Sequence, residues 1–217
     1  MKIYLDSLNL SEIEEYKDII AGITTVPGFA LREQVRYDVP LIIKIREILG
    51  KHKEIHYALI EQNINIAIEM GKKLFQASGN DEQLVLKIPL TFNGINISKE
   101  LRKQGIKTGM HLIFSVNQAI LATEANADYI YPLCGKQDDI GRNGIAVIKD
   151  IASAYKINNE QTKIIAASIR HPMHVIELYS AGIYAVTVPP SVLKKMIEHP
   201  LTDINIKTFE GDYEKSK

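Results

Sequence analysis

The sequence predicts an α/β protein: a compact, single-domain (β/α)8 TIM barrel with an extra C-terminal helix. Three observations carry that prediction. Eight short runs rich in β-branched and apolar residues recur along the chain, and most lack polar alternation, as strands covered on both faces do. Segments of helical period lie between these runs, and dividing 217 residues by eight leaves about 27 per unit, one minimal βα repeat. Finally, no G-x-G-x-x-G and no G-x-x-x-x-G-K-[ST] occurs, so the open doubly wound sheets that bind nucleotides lack their best marker.

The elements follow in order. The first strand is expected over Lys2–Asp6, and Ser11 with Glu14 has the capping-box spacing that starts a helix. A second strand at 21–25 precedes a helix at 38–49, and a third strand is expected at 54–60. The clearest helix is next, because Ile64, Ala67, Ile68, Gly71, Leu74 and Phe75 trace one face over three turns. Leu84–Pro89 reads as the fourth strand, 94–103 as a helix and 108–113 as the fifth strand. Ser115 with Gln118 marks the following helix start. Strands at 129–133, 163–168 and 184–189 then alternate with helices at 144–155, 172–180 and 191–198. Residues 1–200 thus form the barrel, and 201–217 a helical extension whose Ile204, Ile206, Phe209 and Tyr213 suit either a neighbouring subunit or the barrel's own surface.

Composition narrows the partners. With 26 Lys+Arg against 26 Asp+Glu, no basic excess exists to neutralise a nucleic acid or an anionic membrane. No apolar stretch has the length of a membrane span, and Asp6 interrupts the N-terminus before any signal-peptide core. The single cysteine, Cys134, allows no internal disulfide, so a reducing, cytoplasmic setting is expected.

Lys87 is the most informative position. Lysine is rarely buried unpaired, yet this one sits mid-strand in Leu84-Val85-Leu86-Lys87-Ile88-Pro89. Desolvation lowers a lysine pKa, and the neutral amine attacks carbonyls to form a Schiff base; an end-of-strand lysine paired with a carboxylate is the plainer alternative. In a barrel, functional groups gather at the C-terminal strand ends. Asp6, Thr24, Thr25, His111, Tyr131 and Ser168 all fall there, although Asp6 and Ser168 also suit helix caps. Arg170, after the seventh strand, suits a substrate phosphate, and Lys136 offers a second cation. His171 and His174 have no acidic third ligand at metal spacing, so no metal site is expected, and Cys134 reads as a small hydrophobe.

These residues lie in motifs that together resemble a known family. Leu5-Asp6-Ser7, Gly22-Ile23-Thr24-Thr25-x-Pro27, Leu86-Lys87-Ile88-Pro89-Leu90-Thr91, Gly105-Ile106-Lys107-Thr108, Leu112-Ile113-Phe114-Ser115, Asp138-Asp139-Ile140-Gly141, Ala166-Ala167-Ser168-Ile169-Arg170 and His199-Pro200-Leu201-Thr202 are similar to those of the small transaldolases and fructose-6-phosphate aldolases. The resemblance spans nearly the whole chain. It implies a class I aldolase or transaldolase of carbohydrate and pentose-phosphate metabolism, acting on a phosphorylated ketose with no cofactor beyond a covalent lysine imine. Lys87 would carry the imine and Asp6 the proton of the hydroxyl beside the cleaved bond. Thr25, Ser168, Arg170 and Lys136 would bind the substrate and its phosphate. The family also implies a homo-oligomeric ring, a pentamer or decamer, with C-terminal helices between subunits.

Four departures stand out. Val26 replaces an Asn, Leu59 stands where the third strand carries Glu or Gln, His111 replaces a Thr, and Lys136 replaces an Arg. The second and third of these normally position the water of imine chemistry. His111, oriented by Tyr131, is expected to substitute for it. The alternatives are a sugar-phosphate-binding relative that has lost efficient catalysis, and an unrelated barrel isomerase using Asp6 and His111, which leaves Lys87 unexplained.

Overall fold

The apolar runs fold as parallel strands that close on themselves in sequence order, β1 to β8, in a computed structural model that describes residues 1–217. The strands are β1 Lys2–Asp6, β2 Gly22–Thr24, β3 Glu54–Ala58, β4 Leu84–Pro89, β5 Lys107–Ile113, β6 Tyr129–Pro132, β7 Lys163–Ala166 and β8 Ala185–Val188. Closure is made by β1 against β8, with Tyr4 opposite Thr187.

The helices are α1 Leu10–Tyr16, α2 Pro27–Arg32, α3 Val39–Leu49, α4 Ile64–Ala77, α5 Phe92–Lys103, α6 Val116–Thr123, α7 Gly135–Asp138, α8 Gly144–Asn158, α9 Pro172–Ser180, α10 Pro190–Ile197 and α11 Pro200–Lys215. The expected (β/α)8 barrel with a C-terminal helix is therefore the observed fold. Capping explains most starts. Asp38, Asn63, Thr91, Ser115 and Asn143 each accept a backbone N–H of the first turn. At α1 the cap is Asn9, which accepts from Ser11 and Glu12, so the Ser11 expected to begin that helix lies within it. The short α2 and α7 were not expected from sequence, being too brief to show a helical period.

Strand alternation sorts the core into two layers. Leu5, Ile23, Ile55, Leu84, Leu86, Ile88, Met110 and Ile130 point outward and are sealed by the helices. Each such side chain contributes roughly 1.5–3 kcal/mol on burial. Inside the barrel a separate cluster holds Tyr4, Val85, Tyr129, Tyr131, Ile165 and Ala185. Gly109 makes room for it, since a Cβ there would lie 2.5 Å from the Tyr131 ring.

Candidate active site

In β4 the outward pair Leu86 and Ile88 leaves Lys87 facing the barrel interior, where it is 5% exposed. Its Nζ donates to the Thr25 carbonyl at 2.8 Å and lies 5.2 Å from the Tyr131 ring centroid. Burial lowers the Lys87 pKa to about 8, against the opposing pull of the Asp6 charge. Asp6 ends β1 at the mouth, and its Oδ1 accepts the Thr24 hydroxyl at 2.6 Å. With the Thr24 proton so committed, Thr187 donates to Thr24 Oγ1, also at 2.6 Å. Burial pushes the Asp6 carboxyl up, while Lys87 and the Thr24 bond pull the other way. Thr187 was not anticipated from sequence, because a lone threonine in an apolar strand carries no signal.

His111 stands in β5 between Pro89 of β4 and Tyr131 of β6. It is 8% exposed, and its buried Nε2 has no hydrogen-bond partner. Burial and the nearby Lys87 hold it down to about 3, so the imidazole is neutral at physiological pH. The expectation that Tyr131 orients it needs correction. The Tyr131 hydroxyl instead meets His56 Nδ1 at 2.5 Å, lower in the barrel. His56 Nε2 contacts Glu54 Oε2 at 3.0 Å, and Glu54 also accepts the hydroxyls of Tyr4 and Tyr129 at 2.6 and 2.7 Å. Tyr131 is thus the floor beneath Lys87, tied downward.

Beside His111 the strand is irregular. The register shifts between His111 and Ile113, and Leu112 adopts φ 61°, a left-handed conformation costly for leucine.

Two further placements correct the sequence reading. Alternation points Leu59 into the helix-facing layer, so the inward position beside Lys87 on β3 is Ala58, its register partner. The Thr25 hydroxyl is committed away from the cleft: it contacts the Tyr37 hydroxyl at 2.7 Å and the His56 carbonyl at 3.3 Å. Only the Thr25 backbone carbonyl reaches Lys87.

After β7, Ser168 adopts φ 59°, and its carbonyl accepts the Gly135 N–H at 2.9 Å. A Cβ at Gly135 would lie 2.6 Å from the Ser168 carbonyl oxygen and 2.6 Å from Arg170 Nε, so the backbone leaves room there only for glycine. Arg170 is half-exposed and pairs with Asp139 at 2.8 Å. Lys136 is exposed on α7, next to Gly135. The fold therefore gathers Ser168, Arg170 and α7 on one side of the mouth. A cavity of about 990 Å³ lies at the opposite mouth, where Glu54, Lys107, Tyr129 and Lys163 begin their strands. Active sites of such barrels form at the other end.

The model of the transaldolase/fructose-6-phosphate aldolase family matches residues 3–216. The chain belongs to that family. It is an enzyme family, and this member has full-length relatives. A "Probable transaldolase" of Geobacillus sp. (strain WCH70) is 39% identical over 220 residues, covering all of both chains. Another "Probable transaldolase", from Nitrosopumilus maritimus, is 37% identical and covers all of this chain and 96% of its own. Solved structures add the fold alone. A dihydrodipicolinate synthase family protein from Coccidioides immitis superposes with a TM-score of 0.61 at 11% identity, over 86% of this chain and 65% of its own. A mandelate oxidase gives 0.61 at 12%, over 88% and 64%. This transaldolase-family chain thus spans about two thirds of those larger barrels.

Proposed function

We propose that the protein is a transaldolase-like class I aldolase that cleaves a phosphorylated ketose, such as fructose 6-phosphate, through an imine on Lys87. The observation that carries this reading is the Lys87 amine buried inside the barrel with its Nζ on the Thr25 carbonyl, where lost hydration lowers its pKa to about 8. At pH 7 roughly a tenth of such a group is unprotonated, against about one in three thousand for an ordinary lysine. The amine adds to the ketose carbonyl, and loss of water gives the imine. Asp6 takes the proton from the C4 hydroxyl as the C3–C4 bond breaks, and the bonding pair moves into the imine to leave an enamine. The aldehyde departs. The enamine then attacks an acceptor aldose, or takes up a proton and is hydrolysed to dihydroxyacetone.

His111 replaces the family's water-holding groups as a neutral imidazole, its unpartnered Nε2 accepting from or donating to the water of imine formation. Ser168 and Arg170, with Lys136 nearby, bind the phosphate. The imine supplies the electron sink, so the reaction needs no metal or other cofactor. No helix is long and apolar enough to cross a membrane; a cytoplasmic place in pentose-phosphate metabolism, and a homo-oligomeric ring, belong to the same proposal. A second reading, a sugar-phosphate-binding relative without efficient turnover, is favoured by Val26, Leu59 and His111, which stand where the family carries other polar groups.

Borohydride trapping with fructose 6-phosphate separates the two. A reduced adduct on the Lys87 peptide, absent in Lys87→Ala, together with glyceraldehyde 3-phosphate release, is the expected result. Adduct without release supports the second reading. No adduct removes the imine mechanism.

A further inference from the structure

Behind the Arg170 side of the mouth, the fold brings His174 of α9 against Cys134, just after β6, and Asp138, four residues further on in α7. Cys134 Sγ lies 3.5 Å from His174 Nδ1 and 3.8 Å from Asp138 Oδ2. His174 Nε2 is 3.5 Å from the same carboxylate oxygen. One ligand atom from each residue falls within 4.8 Å of the other two. Metal bonds of about 2.3 Å to sulfur and about 2.0 Å to nitrogen or oxygen, at the tetrahedral angle, subtend edges of about 3.5 Å. A metal takes only one His174 nitrogen, so one of the two 3.5 Å histidine distances is an edge of the site and the other histidine edge, bounded at 4.8 Å, closes on binding.

We propose that Cys134, Asp138 and His174 form a three-residue binding site for a zinc-type divalent cation, with water in the fourth position. A thiolate and an imidazole select zinc over magnesium or calcium, which prefer oxygen throughout. The carboxylate is already oriented, because the Gly144 N–H donates to Asp138 Oδ1 at 3.0 Å and leaves Oδ2 facing the sulfur. Cys134 and His174 are buried, while Asp138 and His171 are exposed and open the route of entry. Binding expels the Cys134 thiol proton to solvent and takes His174 in its neutral form. The metal would tie α7, whose neighbour Asp139 holds Arg170, to α9, a structural clamp and not a participant in the chemistry.

The test uses the full chain stripped with a chelator and titrated with Co²⁺. A thiolate-to-cobalt charge-transfer band saturating at one equivalent is expected, displaced by Zn²⁺, which also raises the thermal midpoint. Cys134→Ser should abolish the band. Asp138→Asn, at an exposed position that leaves the core intact, should weaken affinity by at least the roughly 10–100-fold that loss of an outer partner costs. No band in the folded wild type, or a band that survives Cys134→Ser, overturns the site. Both readouts are spectral or thermal, so they stand whether or not Lys87 forms an imine.

Discussion

At Lys87 the loss of hydration that disfavours the ammonium is what makes the amine reactive, and Asp6 opposes it. Two consequences follow at this scale. Borohydride trapping should rise with pH through a midpoint near 8, and in Asp6→Asn that midpoint should move lower, because the charge that raises the lysine pKa is gone. Aldehyde release should fall by about 10²–10⁴-fold in the same variant. A midpoint near 10.5 in the wild type would refute the burial argument. His111 and Tyr131 separate likewise. His111→Ala should slow turnover by about 10²–10⁴-fold, whereas Tyr131→Phe leaves His56 Nδ1 unsatisfied and costs about 1–3 kcal/mol of stability, or a few degrees of thermal midpoint. Equal turnover in His111→Ala and wild type would remove the imidazole from the mechanism. Lys87 was legible in sequence because a charge amid apolar neighbours is conspicuous; the bond from Tyr131 to His56 was not, since the two lie 75 residues apart.

At the scale of the element, strand period decides which residues matter. The eight strands and most helices were legible from apolar runs, helical period and caps. Where β3 faces was not, because Glu54, His56 and Ala58 point inward within a run that reads as continuously apolar around them. Leu59 was expected at the cleft from the family motif, and the strand's alternation turns it the other way. The inward polar pair of β3 also carries a pH dependence. Burial alone would push the Glu54 carboxyl up, but the bonds from His56, Tyr4 and Tyr129 more than offset it and hold it well below the usual carboxylate range. A depressed folded-state pKa stabilises above the unfolded value, near 4.5, and that contribution is lost as pH falls. Glu54→Gln should therefore lower the thermal midpoint at pH 7 and flatten its decline below about pH 4.5. An unchanged acid limb in that variant, followed by circular dichroism, would show that the tyrosine and histidine bonds do not set the carboxyl's pKa. The cluster of Cys134 and His174 escaped notice on similar grounds, since β6 and α9 meet only once the barrel closes.

For the whole molecule, the balanced charge and the terminal helix bear on assembly. No residue of α11 is buried. Leu201, Ile206, Phe209 and Tyr213 are large, apolar and exposed, and Ile206, Phe209 and Tyr213 share one helical face. A shallow cavity among Leu201, Thr202, Asn205, Ile206 and Phe209 marks the same surface. Covering four such side chains contributes on the order of 6–12 kcal/mol per helix as an upper bound, comparable with the roughly 4–15 kcal/mol that association costs. A zero net charge adds no repulsion between copies. On the proposed ring assembly, the full chain should sediment as a homo-oligomer, and a chain ended after Glu198 as a monomer with the barrel's circular dichroism intact, since no residue of α11 is buried in the core. Phe209→Glu in the full-length protein separates loss of the helix from loss of its apolar face. Sedimentation at ring mass in both variants would mean that subunits meet elsewhere, and a full chain sedimenting as a monomer would mean that α11 holds no partner.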